Sequence, residues 1–177
     1  AKKISRENLE AMNRLKKSGI LIASATGRSL ESFGRALDHL GIDRPIENLP
    51  LDYVLFSTGA GVMEFPSGNI IYKRSLSGKQ TAQITRYFDR YKMDYMVHKA
   101  IPDTAHLLYK SHGSINKDFN RRLALYNTHA KALTVFTDQF DFVTEVLAIL
   151  PQHDDMKTLS RIQKDLPQFS VIPATSP

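Results

Sequence analysis

The sequence predicts an α/β fold: a helix–strand–helix opening built on a parallel sheet, then a separate α+β unit from roughly residue 75. Three patterns lead there. Apolar runs at Ile20–Ala25 and Tyr53–Phe56 read as strands buried on both faces, as in parallel sheets covered by helices. Each run ends in a turn: Thr26-Gly27-Arg28-Ser29 and Ser57-Thr58-Gly59-Ala60-Gly61. At Ser75–Ser77 the continuous runs give way to amphipathic periodicities, which divides the chain into 1–74 and 75–177.

The elements follow in order. Leu9, Met12 and Leu15 recur at helical spacing over residues 5–17, with Glu7 early, Lys16 and Lys17 late, and Gly19 as the stop. After the strand at 20–25, Leu30, Phe33, Leu37 and Leu40 form the apolar face of a second helix closed by Gly41. A loop over 44–50 leads to the strand at 53–56. Val62–Phe65 and Ile70–Tyr72 then flank Pro66-Ser67-Gly68-Asn69 as a hairpin. Ser77 and Gln80 have capping-box spacing, starting a helix whose buried face is Ile84, Tyr87, Phe88 and Tyr91. Strands are expected at 93–98 and 105–110, joined by a loop with Pro102. A long helix striped by Phe119, Leu123, Tyr126 and Ala130 follows. A strand at 143–150, a helix at 156–166 and a last strand at 169–172 complete the reading.

Composition removes several function classes. The chain has 177 residues, 42% of them hydrophobic and 24% charged, as for a globular protein. With no cysteine, disulfides, thiolate metal sites and a cysteine nucleophile are excluded. No apolar run reaches the length of a membrane span, and no signal-peptide core follows Ala1, so a cytoplasmic protein is expected. The net charge of +6 comes from 24 Lys and Arg against 18 Asp and Glu, scattered singly or in pairs such as Lys73-Arg74 and Arg121-Arg122. That pattern suits a solvated surface or a small phosphorylated anion better than nucleic acid, and no aromatic stacking motif is present.

Chemistry concentrates at Thr26-Gly27-Arg28. A parallel strand delivers Thr26 to its carboxyl end, where open α/β sheets place ligands. The threonine hydroxyl, the close approach that glycine allows and the amides of the next helix N-terminus suit an oxyanion, and Arg28 can add a charged fork. The same residues also suit an ordinary strand-to-helix turn capped by Ser29. Further on, His98, Lys99, His106, Tyr109, Lys110 and His112 cluster about two strands. A histidine metal site there lacks a carboxylate at ligand spacing. Asp138, Asp141, Asp154 and Asp155 read as exposed loop acids.

Leu21-Ile22-Ala23-Ser24-Ala25-Thr26-Gly27-Arg28-Ser29, the helix ending in Leu40-Gly41, and Ser57-Thr58-Gly59-Ala60 together resemble the haloacid dehalogenase-like phosphatases. The likeness is to the Cof-type branch with a type II B cap, and 68–74 resembles the passage from core to cap. The resemblance implies a partial Rossmann-like core at 1–74 with an inserted α+β specificity cap at 75–177. It also implies a Mg²⁺-dependent phosphatase that acts through a phosphoaspartate on a sugar-phosphate-like metabolite. Thr26 becomes the second motif, orienting the phosphoryl group, with Gly27 and Arg28 beside it. His98, Lys99, His106 and Tyr109 become candidates for covering the substrate. Two departures stand out. Thr58 replaces the usual asparagine, and no Asp-x-Asp occurs anywhere in the sequence. The nucleophile, the metal ligands and the later lysine motif are therefore not in this chain. It reads as an internal segment of a longer enzyme, expected to be inactive alone. A non-catalytic module that binds a phosphoryl ligand is the alternative.

Overall fold

The computed structural model describes residues 4–38, 48–113, 115–126, 128–134, 140–151 and 155–173. Leu40, Gly41, Asp138 and Asp154 lie outside the described residues, as does most of the loop at 44–50. The chain forms two compact units, Ala1–Arg74 and Ser75–Pro177.

The first unit opens with α1, Arg6–Lys17, capped by Ser5, whose side chain accepts from the Asn8 amide. Of the expected stripe only Leu9 is buried, while Leu15 is largely exposed. After the left-handed Gly19 comes β1, Ala23–Ala25, then α2, Leu30–Asp38. Strand β2, Tyr53–Phe56, is joined through a 3₁₀ turn at Ser57–Gly59 to the hairpin β3, Gly61–Glu64, and β4, Ile70–Lys73. The sheet order is β1-β2-β3-β4, with β1 and β2 parallel and the other two pairs antiparallel. Leu55 pairs with Ala25 and Val62, so β2 has a partner on each side, and Val54 and Phe56 are fully buried.

The run at 20–25 is not a strand buried on both faces. Ile22 gives both backbone groups to Asp52: its amide donates to the carboxylate at 2.8 Å, and its carbonyl accepts from the Asp52 amide at 2.8 Å. Regular pairing therefore starts only at Ala23. Strand β1 is the edge of the described sheet, so Leu21 is 70% and Ile20 49% exposed.

The second unit has a five-stranded sheet of order β5-β9-β6-β7-β8: β5, Leu76–Ser77; β6, Asp94–Lys99; β7, Leu107–Lys110; β8, Ala130–Ala132; β9, Phe142–Ile149. Its helices are α3, Gly78–Arg90, α4, Lys117–Leu125, and α5, Asp155–Asp165. The two-residue period of β6 sends Tyr95 and Val97 to one face, where Ile84 and Phe88 of α3 and Ile162 of α5 cover them. It sends Met96 to the other face, against Phe119 of α4. Both faces of this sheet are thus apolar and covered.

Three expectations are corrected here. Tyr91 is not on the buried face of α3; it caps the helix, is exposed, and lies beneath the Arg161 guanidinium at 4.3 Å from the ring centroid. The long helix stops at Leu125, and Ala130 begins β8, which pairs parallel with β7. Residues 169–172 form no strand: Phe169 and Val171 pack on the core as irregular chain, and the Val171 carbonyl accepts from the Gln163 side chain.

Candidate functional site

Thr26 lies just past the carboxyl end of β1. Its amide continues the ladder, donating to the Leu55 carbonyl at 2.9 Å. Its strand is the sheet edge among the described residues, not a central strand. The Arg28 amide donates to Thr26 Oγ1 at 3.2 Å, folding the chain into a tight turn that enters α2. Ser29 caps that helix, accepting the Ser32 amide at its hydroxyl and the Phe33 amide at its carbonyl. A capped helix start still leaves first-turn amides for an external anion. Arg28 is exposed, and its guanidinium reaches Ser32 Oγ at 3.3 Å. The acidic first-turn residue, Glu31, is neutralised by Arg35 one turn on.

The turn after β2 closes onto this one. The Ser57 amide donates to the Arg28 carbonyl at 2.8 Å, and the Thr58 amide to the Thr26 carbonyl at 3.3 Å. To make both bonds the chain adopts left-handed conformations at Ser57 (φ 47), Thr58 (φ 56) and Gly59 (φ 84) in succession. Left-handed backbone costs a non-glycine residue about 1–2 kcal/mol, and a β-branched residue rarely adopts it. Ser57 is buried, while Thr58 is exposed. A Cβ built on Gly27 would stand 3.6 Å from Thr58 Oγ1, so the hydroxyl lies over that glycine. The two strand-end turns therefore form one rim of hydroxyls, amides and a guanidinium. Phe56 anchors the rim from below, its ring so close under Gly61 that a Cβ there would sit 2.3 Å from it.

The candidates in the second unit are dispersed. His98 is buried, its Nδ1 within 2.9 Å of the Thr104 carbonyl and its ring edge-on to Tyr126. Lys99 pairs with Asp103 at 3.0 Å, and that hydrogen bond and charge hold the Asp103 carboxyl below its ordinary range. His106 is exposed, with its ring against His129 at 4.7 Å, so it does not form a pair with His98. Tyr109 is half-buried against Phe119. Lys110 and His112 both meet Asp89, at 2.9 and 3.2 Å. His129 is not among the residues the sequence points to, because helical spacing through Ala130 predicts helix across it. A histidine just before a short alternating run, Ala130-Lys131-Ala132, was the available signal. Asp141 is exposed, as expected of a loop acid.

Among the described residues no three His, Asp or Glu side chains come together as metal ligands. The rim around Thr26 offers hydroxyls, amides and a cation, a donor set that suits an anion and does not fit Mg²⁺. No described helix is long and apolar enough to cross a membrane.

The comparisons with known proteins agree with this architecture. The family model for haloacid dehalogenase-like hydrolases matches residues 1–175. No curated protein matches the sequence. Among solved structures, a haloacid dehalogenase-like hydrolase from Bacteroides thetaiotaomicron superposes with a TM-score of 0.63 at 15% identity, covering 94% of this chain and 59% of that one. One from B. subtilis gives 0.59 at 15% identity, covering 93% and 61%. A sugar phosphatase of subclass IIB, the branch the sequence resembles, gives 0.58 at 12% identity, covering 93% and 56%. The chain thus spans less than two thirds of the length of each of these structures. Identities this low speak to the fold, and the match along 1–175 speaks to descent: the chain belongs to the haloacid dehalogenase-like hydrolase family.

Proposed function

We propose that this chain supplies the phosphoryl-orienting rim and the substrate-covering cap of a phosphatase acting on a phosphorylated, sugar-like metabolite. The observation that carries the reading is the joined pair of strand-end turns at Thr26–Arg28 and Ser57–Gly59. In it the Thr26 hydroxyl, the Gly27 backbone and the start of α2 are presented together. In this reading Ala1–Arg74 is part of a core and Ser75–Pro177 a type II B cap, where Lys99, His106 and Tyr109 are the candidates for meeting the leaving group. His98 acts there as a core residue, since its ring is buried and bonded.

The rim's own chemistry is binding and orientation. The Thr26 hydroxyl donates to a phosphoryl oxygen while its lone pair accepts the Arg28 amide, which fixes the direction of the O–H. Arg28 adds positive charge at the mouth. Attack on phosphorus requires a nucleophilic carboxylate with an acid/base partner, and family membership implies an Asp-x-Asp pair with Mg²⁺. This sequence holds no Asp-x-Asp, so both belong to the complete enzyme as proposed. A module that binds a phosphoryl ligand without turning it over is the alternative, and it holds only where no such carboxylate pair accompanies this chain.

The purified 177-residue chain is expected to show no hydrolysis of a panel of sugar phosphates with Mg²⁺. A protein carrying this chain together with an upstream Asp-x-Asp strand and the downstream lysine and acidic motifs is expected to hydrolyse them. There, Thr26→Ala should lower kcat by roughly 10²-fold, the scale for losing one preorganised donor. Robust turnover by the chain alone, with contaminating phosphatase excluded, would overturn the assignment. If the longer protein binds sugar phosphates but never hydrolyses them, the binding-module reading takes its place.

A further inference from the structure

We propose that Thr58 is a second anion-binding residue of the rim, its hydroxyl taking a phosphoryl oxygen beside that of Thr26. The inference rests on the phosphoryl-binding reading above and extends it to a position where the family resemblance leads one to expect asparagine. Three observations support it. Thr58 is held in the left-handed region at φ 56, ψ 34, where glycine or asparagine would sit with less strain. The strained turn is bonded to the Thr26 turn through the Ser57 and Thr58 amides, so the two threonines are fixed relative to one another. Finally, the Thr58 hydroxyl lies over the Gly27 face and is exposed, and its side chain makes no hydrogen bond among the described residues. The backbone thus keeps an unfavourable conformation whose exposed hydroxyl has no hydrogen-bond partner among the described residues. Strain of that kind beside an exposed hydroxyl at a strand end points to a ligand.

The test uses the 177-residue chain and inorganic phosphate as probe, followed through the backbone amide signals of residues 26–29 and 57–60. In the wild type, signals in both turns should shift together with one dissociation constant. Thr58→Val keeps the branched shape and removes the hydroxyl; it should weaken phosphate binding by roughly 3- to 10-fold, the effect of one net hydrogen bond. Thr58→Ser keeps the hydroxyl and should bind as the wild type does. Thr58→Gly relieves the backbone strain, so it should raise Tm and still lose affinity, which separates ligand contact from structural support and covers a valine variant that fails to fold. Equal affinity of wild type and Thr58→Val overturns the Thr58 assignment alone, as does equal loss in Thr58→Ser and Thr58→Val. Absence of any shift at residues 26–29 in the wild type overturns the rim as a phosphoryl site, and the Thr58 assignment with it.

Discussion

Asp52 shows how much one side chain organises in the first unit. One carboxylate oxygen accepts the Ile22 amide at 2.8 Å, and the other pairs with Lys16 at 3.0 Å, while Lys16 also donates to the Leu51 carbonyl. Helix α1, the approach to β1 and the start of β2 are joined at that point. The Ile22 amide, followed by Lys16, holds the Asp52 carboxyl below its ordinary value of 3.8. A carboxylate with a depressed folded-state pKa contributes stability that is fully present above the unfolded-state value and is lost as pH falls through the folded one. Asp52→Asn should therefore be less stable than wild type at pH 7, with the deficit shrinking towards pH 2; paired denaturant melts across that range measure it. A deficit that stays constant with pH would mean the carboxylate charge is not what matters. Asp52 was not legible in the sequence, since nothing in Pro50-Leu51-Asp52-Tyr53 shows that a carboxylate will reach residue 22. Thr26 was legible, because a strand-end threonine before a glycine and a capped helix is a local pattern. Its place at the edge of the described sheet was not, because strand order is set by pairing between distant segments.

Among the elements, α3 was the most readable. Ser77 and Gln80 form the reciprocal box that their spacing announced: the Ser77 hydroxyl accepts the Gln80 amide and the Gln80 side chain accepts the Ser77 amide. Capping is decided within one turn of chain, so local sequence suffices. Ser77→Ala should cost about 1 kcal/mol of stability, and Ser77→Gly only a few tenths, read from denaturant midpoints at constant slope. Equal losses for the two substitutions would remove the cap from the account. The sequence predicts too long a helix at α4 for the opposite reason. The stripe Phe119, Leu123, Tyr126, Ala130 keeps helical spacing through its last member, but the Leu107 amide donates to the His129 carbonyl and β8 joins the edge of the sheet. Edge pairing outweighs the weak helical preference of Thr128-His129. At the carboxyl end, Phe169 and Val171 find apolar contacts without a ladder, so the strand expected at 169–172 does not form.

At the scale of the whole molecule, each of the two units has its own sheet. The core of the second is closed on both faces of its sheet by its own helices, with Tyr95, Val97 and Val143 packed on one side and Met96 and Phe119 on the other. In the first, β1 is the sheet edge among the described residues, and the buried apolar side chains are Leu9, Phe33, Leu37, Leu49, Leu51, Val54 and Phe56. A unit with the smaller set of buried apolar side chains should be the weaker of the two. Heating should therefore give two transitions, the lower from Ala1–Arg74 and the upper from Ser75–Pro177. Perturbations should then sort by unit. Asp52→Asn should move the lower transition alone. Ser77→Ala should move the upper one alone, by about 4–8 °C for a loss near 1 kcal/mol in a domain of this size. Calorimetry of the wild type and the two variants reads this directly. A single transition shifted by both substitutions would show that the units unfold as one cooperative body, and that the smaller core of the first does not set the weaker limit.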